Sequence, residues 1–333
     1  MHRRRPLSGP VLALCLIGLI GLSLVAPAAR ASTLTVAMPT GPVSLPLQVA
    51  LEKRFFQAEG LNVVRIPCAS GRACLAALRS GAAEVAASAE FAVATTASQK
   101  PGVVILASIG ESTAQIKLVA SRRAGVREGA DMAGKRVATV AGTSAQYFLD
   151  RWLTYQGIDP KRIHLMNAEP AGLAELLQRG RAAAAVVWEP EASRIEELLG
   201  DDAVRLPSAH VYTQHFCLVA QASAIEQNRP RLQQLLRALL RAQRFITQSP
   251  DEARTILAAS LKVSPEVAQR LMAEHDYRLT LHASLPTTML GQLRWQASQK
   301  HPAEGAEPMP TIQQLVDASL LQAIAPGAVT LAR

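Results

Sequence analysis

Short apolar runs alternate with stretches of helical periodicity from Leu34 to about Gln221. Leu34–Met38 predicts a strand, Thr40-Gly41-Pro42 a turn, and Leu45, Val49, Leu51, Phe55 and Phe56 one face of a helix that Gly60 stops. Leu61–Ile66 is the next strand, followed by the Cys68–Cys74 turn and a short helix ending at Ser80-Gly81. Ala83–Ala87 is a third strand with Glu90 just beyond it. A helix to about Ser98 and two apolar strands, Val103–Ile109 and Gln115–Ser121, follow. Strands alternating with helices imply βα units and a largely parallel sheet.

The charged, glycine-containing stretch Arg122–Gly134 then predicts a crossing to a second unit. Met132–Pro190 is that unit: strand, a Gly142-Thr143-Ser144 turn, helix, strand, helix, strand, and then Trp188-Glu189-Pro190. Gly200-Asp201-Asp202 ends its last helix, Ala203–Leu206 is a short return, and His215–Gln221 is another strand. Beyond it the periodicity is helical only. Leu232, Leu235, Leu236, Leu239 and Leu240 define one helix, and others start near Asp251 and Pro265. Pro286–Ser298 and Thr311–Leu321 are the last, separated by a Pro/Gly-rich loop. The expected partition is residues 32–121 for a first lobe, 122–213 for a second, and 214–333 for completion of the first with extra helices.

The first residues break this pattern. Arg3, Arg4 and Arg5 precede an uncharged apolar run from Val11 to Ala26, and Ala29-Arg30-Ala31 follows. A basic start, an apolar middle and small residues before a cleavage point predict a secretory signal peptide over residues 1–31, cut after Ala31 with Ala28 as the alternative. An uncleaved anchor is the competing reading, against which the run is short of the roughly 20 apolar residues a spanning helix needs. The expected location is therefore the periplasm. Without residues 1–31, 31 basic side chains face 26 acidic ones, a balance of +5. Aromatic residues make up 4% of the chain, and no basic patch interleaved with aromatics predicts a nucleic-acid partner.

Of the cysteines past the signal segment, Cys68 and Cys74 are close in sequence. In an oxidising compartment such a pair forms a disulfide, worth roughly 2 kcal/mol by loop entropy; two buried thiols are the alternative. Cys217 lies in an apolar strand and reads as a core thiol. The histidines are scattered without metal-ligand spacing, and neither a Gly-x-Ser-x-Gly elbow nor a P-loop occurs. No metal site, cofactor or catalytic residue is expected. Arg229, Arg231, Arg237, Arg241 and Arg244 line one helix and read as a solvated face.

Several segments, in this order, resemble the periplasmic solute-binding proteins of ABC importers, in the group that takes nitrate, sulfonates, taurine, bicarbonate and thiamine precursors. They are Phe55-Phe56-Gln57-Ala58-Glu59-Gly60-Leu61-Asn62-Val63, Leu78-Arg79-Ser80-Gly81-Ala82-Ala83-Glu84, Gly134-Lys135-Arg136-Val137-Ala138, Gly142-Thr143-Ser144, Leu176-Leu177-Gln178-Arg179-Gly180 with Trp188-Glu189-Pro190, and Ser249-Pro250-Asp251-Glu252-Ala253. The resemblance spans the chain beyond the signal segment. It implies a type II periplasmic-binding-protein fold, two α/β lobes around a ligand cleft with extra C-terminal helices. It also implies a monomer that binds a small polar or anionic molecule and partners an importer's membrane permease subunits. The same fold family includes pyrimidine synthases of thiamine biosynthesis, whose cysteine-rich cluster has no counterpart here. A stand-alone ligand sensor is a further alternative.

Ligands of such folds sit at the carboxyl ends of parallel strands, which names candidates by position. In the first lobe these are Thr40, Gly41 and Pro42, then Ser70, Gly71 and Arg72, then Ser88 and Glu90. In the second they are Gly142, Thr143 and Ser144, then Asn167, then Trp188 and Glu189. Gly142-Thr143-Ser144 and Ser70-Gly71-Arg72 combine helix-start amides with, in the second case, a guanidinium that grips carboxylate, sulfonate or phosphate. Each turn reads equally as an ordinary helix cap with a solvated Arg. Glu90 and Glu189, one per lobe, are placed to meet an amine or hydroxyls, unless Glu189 only caps the helix after Pro190. Trp188 packs on a ligand or on the sheet. Hinges are expected near Ser121 and near Tyr212.

Overall fold

The computed structural model of the chain describes residues 32–208, 211–299 and 310–331, with residue 2. All of the expected signal segment, 1–31, except residue 2, and nearly all of the Pro/Gly-rich loop before Thr311 lie outside these residues. The first sheet is built from β1 (Ser32–Pro39), β2 (Leu61–Cys68), β3 (Val85–Ala89), β4 (Val103–Ser112) and β10 (Gln214–Gln221), in the order β2-β1-β3-β10-β4. The second holds β5 (Ile116–Ser121), β6 (Arg136–Thr139), β7 (His164–Asn167), β8 (Ala184–Trp188) and β9 (Ala203–Leu206), in the order β7-β6-β8-β5-β9. In each sheet one strand runs antiparallel to its neighbours, β10 in the first and β5 in the second. A two-stranded ribbon of β11 (Leu281–His282) and β12 (Val329–Thr330) completes the strands. The fold is mixed α/β, two five-stranded sheets flanked by helices.

The helices are α1 (Leu45–Glu52), α2 (Phe55–Ala58), α3 (Gly71–Arg79), α4 (Glu90–Gln99), α5 (Ser144–Tyr155), α6 (Pro170–Gln178) and α7 (Glu191–Leu199). The C-terminal set is α8 (Ile225–Gln248), α9 (Pro250–Leu261), α10 (Pro265–Ala273), α11 (Ser284–Gln299), α12 (Ile312–Leu315) and α13 (Ser319–Ile324). The helix expected over residues 45–56 is broken in two, because Arg54 sits at φ +54°, in left-handed geometry that no α-helix continues through. Among the described residues no helix is long and apolar enough to cross a membrane.

The strand patterns follow from which faces are covered. Along β8, Ala184 and Val186 join a cluster with Phe148, Leu149 and Trp152 of α5, while Ala185 and Val187 join the opposite cluster with Leu173 of α6 and Ile195 of α7. Helices on both faces leave no polar side, so the strand reads as a continuous apolar run. The first sheet is likewise sandwiched, and Leu232, Leu235, Leu236 and Leu239 of α8 bury into its single core. The arginines of α8 are not merely solvated. Arg237 and Arg241 bond to Glu59, and Arg231 pairs with Glu84, so the helix is clamped to the first lobe by charge as well as by leucines.

One expectation about the partition is corrected. The strand expected over Gln115–Ser121 completes the first lobe in the sequence reading, yet β5 pairs with β8 and β9 in the second sheet. The first passage between sheets is therefore at residues 113–115, not near Ser121. Arg122–Gly134, which has the composition of a linker, is a structured return on the second sheet. Ser121 Oγ donates to Asp202 Oδ2 at 2.7 Å, and Asp131 accepts from the Arg127 and Glu128 amides at 2.8 and 3.1 Å. The second sheet's last strand ends at Leu206, and β10 re-enters the first sheet at Gln214.

Candidate functional site

The loops that leave the parallel strands of both sheets converge on one cleft of about 880 Å³. After β2, Ser70 stands at extended φ/ψ and its hydroxyl accepts from the Ala73 amide at 3.3 Å, which starts α3. Gly71 at this start is dictated by proximity: a Cβ would lie 2.4 Å from Ser88 Oγ and 3.2 Å from Ser88 Cα. Only a glycine lets α3 begin so close to the end of β3. Cys68 and Cys74 flank the turn and are disulfide-bonded, with Cα atoms 5.4 Å apart. After β1, Thr40 Oγ1 accepts from Arg65 at 3.0 Å.

The facing turn follows β6. Gly142 occupies left-handed geometry at φ +67°, where a side chain is strained. Its amide donates to Gln146 Oε1 at 2.7 Å. Thr143 caps α5, accepting from the Ala145 amide at 3.2 Å and donating to Val140 O at 2.6 Å. Two bonds run from lobe to lobe here. Arg72 Nη2 donates to Gly142 O at 3.2 Å, and Gln214 Nε2 donates to Ser144 Oγ at 3.1 Å. The structure is thus that of a closed cleft, with the guanidinium of one lobe resting on the helix-start turn of the other.

Of the fourteen residues that strand ends nominate, Thr40, Gly41, Ser70, Gly71, Arg72, Ser88, Gly142, Thr143, Ser144, Trp188 and Glu189 line this cleft. Pro42, Glu90 and Asn167 do not. Pro42 is buried in a short 3₁₀ turn. Asn167 Oδ1 accepts from the Ala141 amide at 2.9 Å and braces the Gly142 turn from outside. Glu90 is wholly buried: Tyr212 donates its phenol hydrogen to one carboxyl oxygen, Gln292 Nε2 donates to the same oxygen at 2.7 Å, and the His215 amide donates to the other at 2.9 Å. Burial raises its pKa to about 7 against the pull of those donors. Its carboxyl lies behind the cleft wall, occupied by these three donors.

Glu189 unites both readings of its position. Its Oε2 accepts from the Ser193 amide at 3.0 Å, as a cap of α7 would, yet the residue also lines the cleft. It is 1% exposed, Oε1 has no hydrogen-bond partner among the described residues, and burial holds the carboxyl above its usual range. Trp188 is half-buried, packed against the cores on both faces of the second sheet, and lines the cleft as well.

Sequence position did not nominate several wall residues. Gln115 lies in the first passage, where its Nε2 donates to Glu189 O at 3.1 Å and its Oε1 meets His275 Nε2 at 2.8 Å. Placing the crossing at 113–115 would have exposed it. Phe91 and Thr95 of α4, Phe216 of β10, and Trp295 and Gln296 of α11 complete the wall. α11 carries no local mark, since only packing against α4 brings it to the cleft. Among the described residues no group of three or more His, Cys, Asp or Glu is placed to hold a metal ion.

A family model described as NMT1/THI5 like matches residues 41–253, the span that contains both helix-start turns. The chain belongs to this family. A taurine-binding periplasmic protein of Escherichia coli (strain K12) is 31% identical over 183 residues, 54% of this chain and 55% of that protein. The chain thus spans about half the length of that curated relative. The alkanesulfonate-binding protein SsuA from Xanthomonas axonopodis pv. citri, solved bound to MOPS, superposes with a TM-score of 0.72 at 18% identity, over 92% of this chain and 100% of that one. The periplasmic nitrate-binding protein NrtA from Synechocystis PCC 6803 gives 0.71 at 17% identity, over 90% and 89%. These likenesses establish a periplasmic-binding-protein fold for this NMT1/THI5-like chain, with its extra C-terminal helices.

Proposed function

We propose that this protein is an extracytoplasmic solute-binding protein. It captures a small organic anion between its lobes in the periplasm and delivers it to the membrane permease subunits of an ABC importer. The observation that carries this reading is the pair of facing helix-start turns, Ser70–Arg72 and Gly142–Ser144, joined across the cleft by Arg72. Free amides at helix starts and a guanidinium favour an anion, and a ligand touching both lobes stabilises the closed state over the open one. The taurine-binding relative supports the ligand class, and its name supports the compartment. The basic and apolar segment over residues 1–31 is consistent with export.

Binding without turnover is the reaction class proposed. A thermal-shift screen of the purified protein against taurine, short alkanesulfonates, nitrate and small carboxylates tests the reading. A ligand at 100 times its Kd adds about 2.7 kcal/mol of stability, and mass spectrometry of the recovered ligand should show it unchanged. No shift with any anion, or a converted ligand, would sink the proposal.

A further inference from the structure

The cleft is larger than its charged end requires. Its volume of about 880 Å³ is near the top of the ~300–1,000 Å³ typical of clefts that enclose drug-sized ligands. At roughly 30 Å³ per water-sized group, an inorganic anion or a two-carbon sulfonate would occupy a small part of it. The charge is also unevenly placed. Among the lining residues, Arg72 and Arg79 belong to α3, while Glu169 and Glu189 belong to the second lobe. The wall made by α4 and α11 carries no charge at all: it presents Phe91, Thr95, Gln99, Trp295, Gln296 and Gln299.

That wall is held rather than loose. Trp295 packs edge-on against Phe91 at 5.9 Å and against Tyr147 of α5 at 5.4 Å between ring centroids. Its Nε1 donates to Asp150 Oδ2 of the second lobe at 2.9 Å. Gln296 Nε2 donates to Thr95 Oγ1, whose own hydrogen goes to Phe91 O at 2.8 Å. Gln99 and Gln299 stay exposed at its outer end. An aromatic surface fixed by its neighbours, bordered by neutral amides and hydroxyls, suits an uncharged ring or chain that bears hydrogen-bonding groups.

Building on the proposed anion-binding function, we infer that the α4–α11 wall is a second subsite, which takes the neutral body of a two-part ligand. The ligand class is an organic anion whose charged head lies at Arg72 and the helix starts and whose ring or polar chain lies over Trp295. Trp295 is then a specificity-determining residue. Its tether to Asp150 makes it also part of the closed state, so the test must separate the two effects.

Isothermal titration with methanesulfonate and 4-hydroxybenzenesulfonate, which share a head group, provides that separation. The wild type should bind the aryl probe at least about tenfold more tightly. Trp295→Ala, which removes the ring and the tether together, should bring the ratio close to one while its methanesulfonate affinity stays within about threefold of that of Asp150→Ala. Asp150→Ala, which removes only the tether, should weaken both probes alike and preserve the ratio. A wild-type ratio near one, or a Trp295→Ala variant that weakens both probes equally, overturns the subsite and leaves the anion-binding function standing. Failure of the wild type to bind either probe overturns the sulfonate-class head group and the subsite with it.

Discussion

The phenol of Tyr212, on the passage that returns the chain from the second sheet to the first, donates to the buried carboxyl of Glu90 at the start of α4. Gln292 of α11 donates to both groups, at 2.7 Å to Glu90 Oε1 and 3.1 Å to the Tyr212 oxygen. Tyr147 of α5 stands edge-on to the Tyr212 ring at 5.4 Å. One buried acid thus ties together the return passage, a first-lobe helix and the C-terminal helix α11. The same passage touches the second lobe through an aromatic ring.

Burial raises the pKa of Glu90 from 4.5 to about 7, so between those values the folded state binds more protons than the unfolded one. Stability from this group is fully present below pH 4.5 and is lost as pH rises through 7. The slope approaches at most about 1.4 kcal/mol per pH unit within the window. His215 and His275, whose pKa burial holds at about 4, add stability as pH rises towards 6.5 in either protein, so the decline is read in urea denaturation between pH 5 and 8 as the difference between the wild type and Glu90→Gln. An unchanged pH profile in Glu90→Gln would remove Glu90 as its source.

The second buried electrostatic link crosses between lobes on the other passage. Lys117 of β5 lies 2.7 Å from Glu274, just after α10, with side chains 4% and 19% exposed. Arg205 of β9 approaches the same carboxylate at 3.8 Å. Lys117→Met should cost about 3 kcal/mol, because it leaves a largely buried carboxylate without its nearest cation. The double variant Lys117→Met/Glu274→Leu should recover much of that loss, since the pair's own desolvation penalty disappears with it. Equal losses in single and double variants, measured by urea denaturation, would show that the pair does not act as a unit.

The strand ends and helix starts of the site were legible in the sequence because local signals mark them. Gly142, Thr143, Ser70 and Gly71 each answer a local backbone demand, a left-handed turn, a cap or a close approach. Glu90 lies behind the cleft wall rather than in it for a related reason. Its place after a strand marks it as exposed to a cleft, but no local signal announces Tyr212 and Gln292, 122 and 202 residues away, which bury it. The first passage is hard to place from sequence because Arg122–Gly134 has a linker's composition while Thr113–Gln115 does not. Trp295 and Gln296 were invisible for want of any strand or turn beside them, as α11 reaches the cleft only through its packing on α4.

Gly71 is the position where the site should be most sensitive to one added methyl group. Gly71→Ala forces a Cβ to within 2.4 Å of Ser88 Oγ, so α3 must shift and carry Ser70 and Arg72 with it. The expected cost is about 1–3 kcal/mol of stability, as for overpacking elsewhere, with a larger proportional loss of ligand affinity. Ser88→Ala in the same chain removes the closest atom and should restore part of both. No recovery in thermal melts or titrations would mean that the Ser88 backbone at 3.2 Å, rather than the hydroxyl, sets the limit.

The Cys68–Cys74 bond closes a small loop around the same turn, which links stability to affinity in a way that can be measured. Loss of the bond should cost roughly 2 kcal/mol if loop entropy dominates. It should also free Ser70–Arg72 before binding, so that more conformational entropy is lost when the cleft closes. Arg72→Ala, by contrast, leaves the loop closed and removes the bond to Gly142 O together with the charge. A hydrogen bond from a charged group is worth about 1.5–3 kcal/mol, so its affinity loss should be tenfold or more with little change in melting temperature. The two variants therefore separate: Cys68→Ser/Cys74→Ser lowers melting temperature and weakens binding modestly, while Arg72→Ala weakens binding strongly at constant stability. Calorimetric titration and melting curves on both read the distinction directly. An Arg72→Ala protein that binds as the wild type does would place the anion away from the α3 start.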